Sequence, residues 1–481
     1  MRHGMRVLLG AAAACLLAPA AQAQTLTEAL SQAYNNNPTL LAARAQLRAT
    51  DEGVPQALAG WRPTVSLAGA YGAADTRART QVQALDANNR IFFRDPQPPS
   101  STTSRQERSP ASATATLSQP LFRGGRTVSQ TRQAENLVLA QRARLIATEQ
   151  QVLSDSIQAY IGVIQQTELL RLNINNEQVL GRQLQATNER FRVGEITRTD
   201  VAQAESRLAG ARGQRTQAEG NLQIARATFE RTIGEPPRRL TNPQPLQVPV
   251  RSAQDAQRLA TSNNPVVVAA LFQAAATRDS VDVQLSTLLP QVSANAQAFR
   301  QDNQSLPHQR VTGGQATINL SVPLFQGGAE YSLVRQARQQ AQQAMAQVDE
   351  ARRQAAQQAA SSWETLRSNR ATAEAVRAQI RAAEIALDGV QREAIVGSRT
   401  TLDVLNAEQE LLNARTSFVN ALSSVVTGSY NVASSIGRLT AQDLGLPVAF
   451  YDMTAYYAAV RNRWFGYGDY AQVATNPQAP R

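Results

Sequence analysis

Two kinds of hydrophobic periodicity alternate along this chain, and each occurs twice. After Pro63, Val65, Leu67, Gly69 and Tyr71 stand at alternate positions; after Pro290, so do Val292, Ala294, Ala296 and Ala298. A second alternating run follows in each case, from Ala113 to Leu117 and from Ala316 to Leu320, and both lead into Pro-Leu-Phe. Period two predicts strands, so each copy is read as one hairpin, with polar loops at about 72–111 and 300–314. The side chains are small and mildly apolar, as suits half-solvated or lipid-bounded strands better than a dense sandwich core.

The other period is helical. Behind Gly124-Gly125 and Gly327-Gly328 the chain runs for nearly seventy residues without proline, to Val193-Gly194 and Val396-Gly397. At 1.5 Å per residue that is a rod of roughly 100 Å, a length that in a water-exposed protein calls for a coiled coil. Leu366, Asn369, Ala373, Val376, Ile380, Ala383, Leu387, Val390 and Ala394 step by alternating threes and fours, as a and d positions do. Beyond each tip glycine a returning helix carries Val201, Ala204, Leu208 and Ala211, or Val404, Ala407, Leu411 and Ala414. Alternation of alanine with larger residues lets antiparallel helices pack closely, so each long helix is expected to fold back on its successor. Gly234 and Gly437 end the returning helices, the first with Pro236-Pro237 behind it.

The two copies are one unit written twice. Pro120-Leu121-Phe122-Arg123-Gly124-Gly125 recurs 203 residues later as Pro323-Leu324-Phe325-Gln326-Gly327-Gly328, and Asp200-Val201 recurs as Asp403-Val404 at the same offset. Upstream, Asn36-Asn37-Pro38 matches Asn263-Asn264-Pro265 at an offset of 227, so the first copy has 24 extra residues between Pro63 and Pro120. The expected organisation is a first repeat over 24–234 (hairpin about 63–122, coiled-coil helices about 124–233), a linker at 235–252 in an equatorial region, and a second repeat over 253–437 (hairpin about 290–325, helices about 327–436). A tail at 438–481 follows, its polar end from about 467 expected to be disordered.

Residues 1–23 change the picture of where the protein works. Arg2 and Arg6, the apolar run Val7–Leu17 and Ala21-Gln22-Ala23 form a secretory signal peptide, with cutting expected before Gln24. The run is too short for a membrane anchor, and Cys15 lacks a leucine-led lipobox. Removing the signal removes the single cysteine and one of the two histidines, leaving His308. Disulfide, thiol and His-cluster metal chemistry are thereby excluded, and no catalytic residue, metal or cofactor is expected. Removing Arg2 and Arg6 lowers the formal charge of +11 to +9, all of it carried by arginine. Those arginines are dispersed among Glu and Gln, which argues against a nucleic-acid surface.

Four short strands cannot close a barrel, which needs about eight. Three copies would supply twelve and bury the open edges by cyclic symmetry. The polar residues between the helical seams suit either a water-filled helical tube or a solid bundle with a wet surface.

The duplicated helix–hairpin–long helix–turn–helix order, Ser321-Val322-Pro323-Leu324-Phe325-Gln326-Gly327-Gly328 and Val396-Gly397-Ser398-Arg399-Thr400-Thr401-Leu402-Asp403-Val404-Leu405 together resemble the TolC-type outer-membrane efflux and secretion family, over residues 25 to about 445. The resemblance implies a mainly α fold with short β. It implies a homotrimer whose 12-strand barrel sits in outer-membrane lipid and continues as a 12-helix tunnel across the periplasm. It implies an export duct for proteins (type I secretion) or small molecules, docked through a periplasmic adaptor to an inner-membrane transporter of the ABC or RND type. Val193, Gly194, Val396 and Gly397 would be the periplasmic tip that meets the adaptor. Arg399 and Asp200 match positions whose polar links hold the tip closed, and Asp403 matches an aspartate that rings the constriction. An ordinary surface pair between Arg399 and Asp403, four apart on a helix, is the simpler alternative.

Two positions depart from the family pattern: Ala394 stands where some members have tyrosine, and Asn406 where they have a second aspartate. The copies also differ at the tip, with Ile196 opposite Arg399. The tail from Leu446 to Gly466 resembles tails of type I secretion members; its aromatics suit a membrane-interface belt or packing on the outer waist. A soluble periplasmic coiled-coil adaptor and an exported hydrolase are the rival functions, the first leaving the hairpins unexplained and the second short of histidine and cysteine.

Overall fold

A computed structural model of the chain describes residues 23–81, 101–468 and 470. The expected signal peptide lies outside them but for Ala23, as do the centre of the first loop and all but three residues of the polar end. Ten α-helices and six strands follow one another among the described residues. In the first half these are α1 (Leu26–Asn36), α2 (Pro38–Asp51), α3 (Gly53–Leu58), β1 (Thr64–Tyr71), β2 (Ala74–Gln81), β3 (Ser101–Arg108), β4 (Ala111–Arg123), α4 (Arg126–Arg192) and α5 (Arg198–Ile233). The second half has α6 (Ala253–Asn263), α7 (Pro265–Leu285), β5 (Gln291–Asp302), β6 (Arg310–Ser321), α8 (Ala329–Ile395), α9 (Thr401–Ser435) and the short α10 (Ala455–Val460).

Both long helices have 67 residues, which at 1.5 Å each gives about 100 Å. The expected α8 seam is the face that packs: Leu366, Leu387 and Ala394 are buried, and the six seam positions between them are half-buried amid exposed neighbours. On α5, Val201, Ala204, Leu208, Ala211, Ala218 and Leu222 are buried, and only Arg215 leaves the seam, reaching Glu177 at 3.1 Å and Glu219 at 2.9 Å. The two hairpins of helices lie side by side: Leu180, Leu208 and Ala211 of the first enclose Leu405 of the second.

The repeated Asn-Asn-Pro makes one corner twice. Asn37 ends α1 and caps α2, accepting from Thr39 N–H at 2.9 Å while donating to Thr232 O at 2.9 Å. Asn264 does the same for α6 and α7, with Val266 N–H at 2.9 Å and Ser435 O at 3.2 Å. Each corner is thus tied to the end of the returning helix in its own copy. Pro38 and Pro265 stand first in their helices, where a missing N–H costs nothing. The copies then diverge. α7 is continuous over 21 residues, whereas the first copy breaks between α2 and α3, because Pro55 cannot donate to the carbonyl of Asp51.

The linker between the copies packs into the equator. Leu246 and Val248 join a core with Leu40, Leu47, Leu153, Ile157, Tyr430 and Leu439. Tyr160 Oη lies 2.8 Å from both Gln24 O and Thr241 O, fastening the segment just before α1 to the linker.

Four of the strands form one antiparallel sheet in the order β1-β4-β5-β6, so the two hairpins join through β4 and β5, and β2 and β3 pair separately. The strands are longer than the sequence reading placed them. The segment read as a loop over 72–111 contains the β2–β3 ladder, which pairs Ala74 with Arg108 through Gln81 with Ser101. The loop read at 300–314 shrinks to 303–309. Both extensions are polar on both faces, so they lack the alternation that reveals a strand. No helix among the described residues is long and apolar enough to cross a membrane.

Candidate functional site: the helical tips and the sheet faces

Each tip is the same piece of chemistry. The turn after α4 has Gly194 at φ +80°, and the turn after α8 has Gly397 at φ +80°, a left-handed conformation that glycine adopts without steric cost. Backbone bonds close both turns: Glu195 N–H reaches Arg190 O at 3.0 Å, and Ser398 N–H reaches Glu393 O at 3.0 Å. A capping box opens each returning helix. Thr197 accepts from Asp200 N–H (3.3 Å) while Asp200 accepts from Thr197 N–H (3.0 Å) and its hydroxyl (2.8 Å). Thr400 and Asp403 repeat this at 3.2, 3.0 and 2.8 Å. Within the chain, therefore, Asp200 and Asp403 serve identical roles, each as the third-residue acid of a capping box whose N-cap is a threonine. The Thr400 backbone N–H and hydroxyl, with Arg399 nearby, hold the Asp403 carboxyl below the usual carboxylate range, so it is ionised near neutrality.

Arg399 pairs with neither aspartate by a direct bond. Its Nε donates to Glu393 at 2.8 Å, which with the charge of Asp403 raises its pKa further. The first copy has a pair that the sequence reading did not single out: Arg190 on the descending helix holds Glu195 on the turn at 2.6 Å. Arg190 and Glu393 stand 203 residues apart, at the repeat offset, so the same clasp is built in both copies with its charges exchanged. The offset was the available signal, because Ile196 opposite Arg399 hides the match unless the helix position is aligned too. A second unread contact joins the two hairpins above the tips, where Arg207 Nη2 donates to Asn406 Oδ1 at 3.0 Å. Asn406, the departure from the family's second aspartate, thus belongs to an inter-hairpin bond. Val193 and Val396 are each 78 % exposed, leaving two matching apolar points at the end of the molecule.

The sheet has two chemically distinct faces. Directly paired residues share a face, so Val65, Leu117, Ala296 and Ala316 form one cross-strand row and Leu67, Ala115, Ala298 and Gly314 the next. The opposite face carries Thr64, Ser118, Asn295 and Thr317, then Ser66, Thr116, Gln297 and Gln315. Val65, Leu67, Ile318 and Leu320 are 65 to 81 % exposed. Apolar on one side and polar on the other, with strands β1 and β6 each unpaired along the outer edge, is the pattern of a segment of a transmembrane barrel wall. A soluble adaptor would put this apolar face in water.

Comparison with known proteins agrees. The family model for "Outer membrane efflux protein" matches residues 29–235 and 257–438. The outer membrane efflux protein BepC of Brucella suis is 33 % identical over 453 residues, covering 94 % of this chain and 93 % of its own. The outer membrane protein TolC of Vibrio cholerae is 25 % identical, covering 92 % and 98 %. Among solved structures, the Campylobacter jejuni CmeC outer membrane channel shares the fold with a TM-score of 0.73 at 16 % identity, over 91 % of this chain and 89 % of that one. The chain belongs to the outer membrane efflux protein family, of the TolC type, and is an outer-membrane exit duct whose helical part extends into the periplasm.

Proposed function

We propose that three copies of this chain close into a duct, with twelve strands in the outer membrane and a twelve-helix tunnel below, that receives proteins or small molecules from an inner-membrane ABC or RND transporter through a periplasmic adaptor. The observation that carries this is the four-stranded sheet with two unpaired edges. A lone sheet of this kind would leave a row of backbone donors and acceptors unsatisfied in lipid, a cost of several kcal/mol per group by general estimates. Joining β6 of one copy to β1 of the next removes both edges, and three copies give a wall of realistic circumference.

In this assembly the tips meet around one axis. Three copies of Asp403 would then form an anionic ring, which attracts cations. The charge-exchanged clasps, Arg190 with Glu195 and Arg399 with Glu393, stand on alternating hairpins, so each can trade its own partner for one on a neighbour. That exchange, with Asp200 contributing a further acceptor, is the proposed means of holding the tip closed. Val193 and Val396, with the glycines behind them, are the proposed points of adaptor contact. The duct itself is read as non-catalytic.

Paired cysteines test the assembly directly, because the sequence's one cysteine, Cys15, lies in the expected signal peptide. With Ser66→Cys or Ala68→Cys in β1 combined with Gln315→Cys or Thr317→Cys in β6, oxidation is expected to give covalent trimers from at least one pairing. Recovery of monomers alone from every pairing would overturn the closed barrel.

A further inference from the structure

The apolar face of the sheet ends abruptly at its outer rim. Rising from the foot, its rows run through Val292 and Leu320, Ala294 and Ile318, Ala296 and Ala316, then Ala298 and Gly314. The next two rows are different. One contains Gly69, Ala113, Arg300 and Thr312; the last contains Tyr71, Ala111, Asp302 and Arg310. Ten residues separate Val292 from Asp302, roughly 33 Å along the strand and about 25 Å along the normal of a barrel with the usual tilt. That is the height of an outer-membrane barrel's apolar band. The charged rows therefore stand where the hydrocarbon of the outer leaflet meets its headgroups, and Tyr71, 82 % exposed in the same row, is the kind of residue found at that level.

The charges there are not balanced. Asp302 bridges two arginines, accepting from Arg300 Nε at 2.9 Å on one oxygen and from Arg310 Nε at 2.6 Å on the other. Two cations share one anion, so the group keeps a net positive charge on a lipid-facing surface. Each guanidinium engages Asp302 through Nε, leaving its two terminal nitrogens for another acceptor. Both arginine side chains are more than half exposed. A planar guanidinium fixed through Nε presents its remaining N–H groups as a fork that fits two oxygens of a phosphate.

We propose that Arg300 and Arg310, held by Asp302, form a docking site on the barrel's outer surface for the phosphate of an outer-leaflet lipid. Asp302 acts as the positioning residue, holding the two forks side by side at headgroup height. The site rests on the sheet being embedded in the membrane, which the variants below leave intact by keeping every strand residue of the apolar band.

The test is native mass spectrometry of the purified assembly after incubation with bis-phosphorylated lipid A, with dephosphorylated lipid A, or with inorganic phosphate alone. Wild type is expected to retain the bis-phosphorylated lipid preferentially. Arg300→Gln with Arg310→Gln is expected to weaken retention roughly thirtyfold, the worth of two basic groups at an anionic lipid surface. Arg300→Lys with Arg310→Lys should keep part of the affinity, since charge remains and the fork is lost. Asp302→Asn separates a positioned lipid site from a purely structural ion cluster: with the forks released, preference for the phosphorylated lipid should fall towards that of the lysine variant while the barrel stays assembled, whereas a cluster serving only the fold loses barrel stability and never selected the phosphate. Equal retention of phosphorylated and dephosphorylated lipid by wild type would overturn the proposal, and so would unchanged retention by the glutamine variant. If these variants still reach the outer membrane as assembled barrels, failure of the lipid site leaves the duct untouched.

Discussion

Asp51, at the end of α2, is fully buried, and neither carboxylate oxygen has a hydrogen-bond partner. Burial pushes its pKa from 3.8 to about 7, against the pull of Arg142 and Arg48 and helped by Glu52. The folded chain therefore holds a proton there that the unfolded chain releases at lower pH. Its favourable contribution is complete below about pH 4 and is lost as pH rises through about 7. Asp51→Asn is expected to flatten that dependence, so that thermal unfolding of wild type falls relative to the variant between about pH 4 and pH 8; parallel profiles would show that Asp51 is not the group responsible. The tip aspartates call for a paired measurement. Asp200→Ala and Asp403→Ala each remove the same N3 half of a capping box, costing about 0.3–1.5 kcal/mol. If Asp403 also rings the constriction, only its variant should raise single-channel conductance and weaken blockade by multivalent cations; identical traces from the two would reduce Asp403 to a cap. Sequence reading reached Asp403 and Arg399 through their motif but not Asp51. A carboxyl on a helix looks like a solvated one until a neighbouring helix covers it, and the second copy has Arg278 at the matching position.

At the scale of elements, the helices were legible and the strand ends were not. The α8 seam could be read because a coiled coil buries one stripe and wets the rest, so packing and pattern coincide. The β2–β3 ribbon could not, because only Ala74 and Ala78 of its sixteen residues are apolar, too few and too small to mark a face. The break between α2 and α3 was equally hidden by the copy's likeness to α7, although Pro55 states its cause. α8 and α9 pack closely at one level. Leu366 is 1 % exposed, packs with Val425 and Val432, and stands 3.5 Å from where a side chain on Gly428 would begin. Leu366→Ala is expected to cost about 2–5 kcal/mol. It should speed amide hydrogen exchange in α8 and α9 around that level while leaving the α4–α5 pair protected. Uniform loss of protection in both hairpins would mean that they unfold as one unit instead.

At the scale of the whole molecule, the tail links parts that the repeat alone leaves loosely coupled. Its contacts begin at the equator, where Leu439 and Leu446 join the core, Tyr451 N–H donates to Tyr34 Oη at 3.1 Å and Arg44 lies 4.5 Å and 5.2 Å from the Tyr34 and Tyr451 rings. Next, Tyr456 Oη meets Glu52 at 2.9 Å and Arg461 meets Glu135 at 2.9 Å, holding α2 and α4 together from outside. It finishes at the foot of β1, where Arg62 donates to Arg463 O at 2.7 Å with its guanidinium 5.0 Å from the Trp464 ring. Tyr451 thus packs on the waist, whereas Trp464 and Phe465 stay exposed beside the sheet's foot. A strap from the equator to the foot of the sheet is expected to fix the angle between the helices and the strands. Truncation after Phe450 is expected to permit assembly, since no strand or tip is touched, but to lower the temperature at which the assembly dissociates in detergent. Arg62→Ala, Trp464→Ala and their combination localise the effect, because a real strap gives a coupling of about 0.5–2 kcal/mol between them. Full heat resistance in the truncated chain, or strict additivity of the two substitutions, would mean that the repeat holds its two halves in line without the tail.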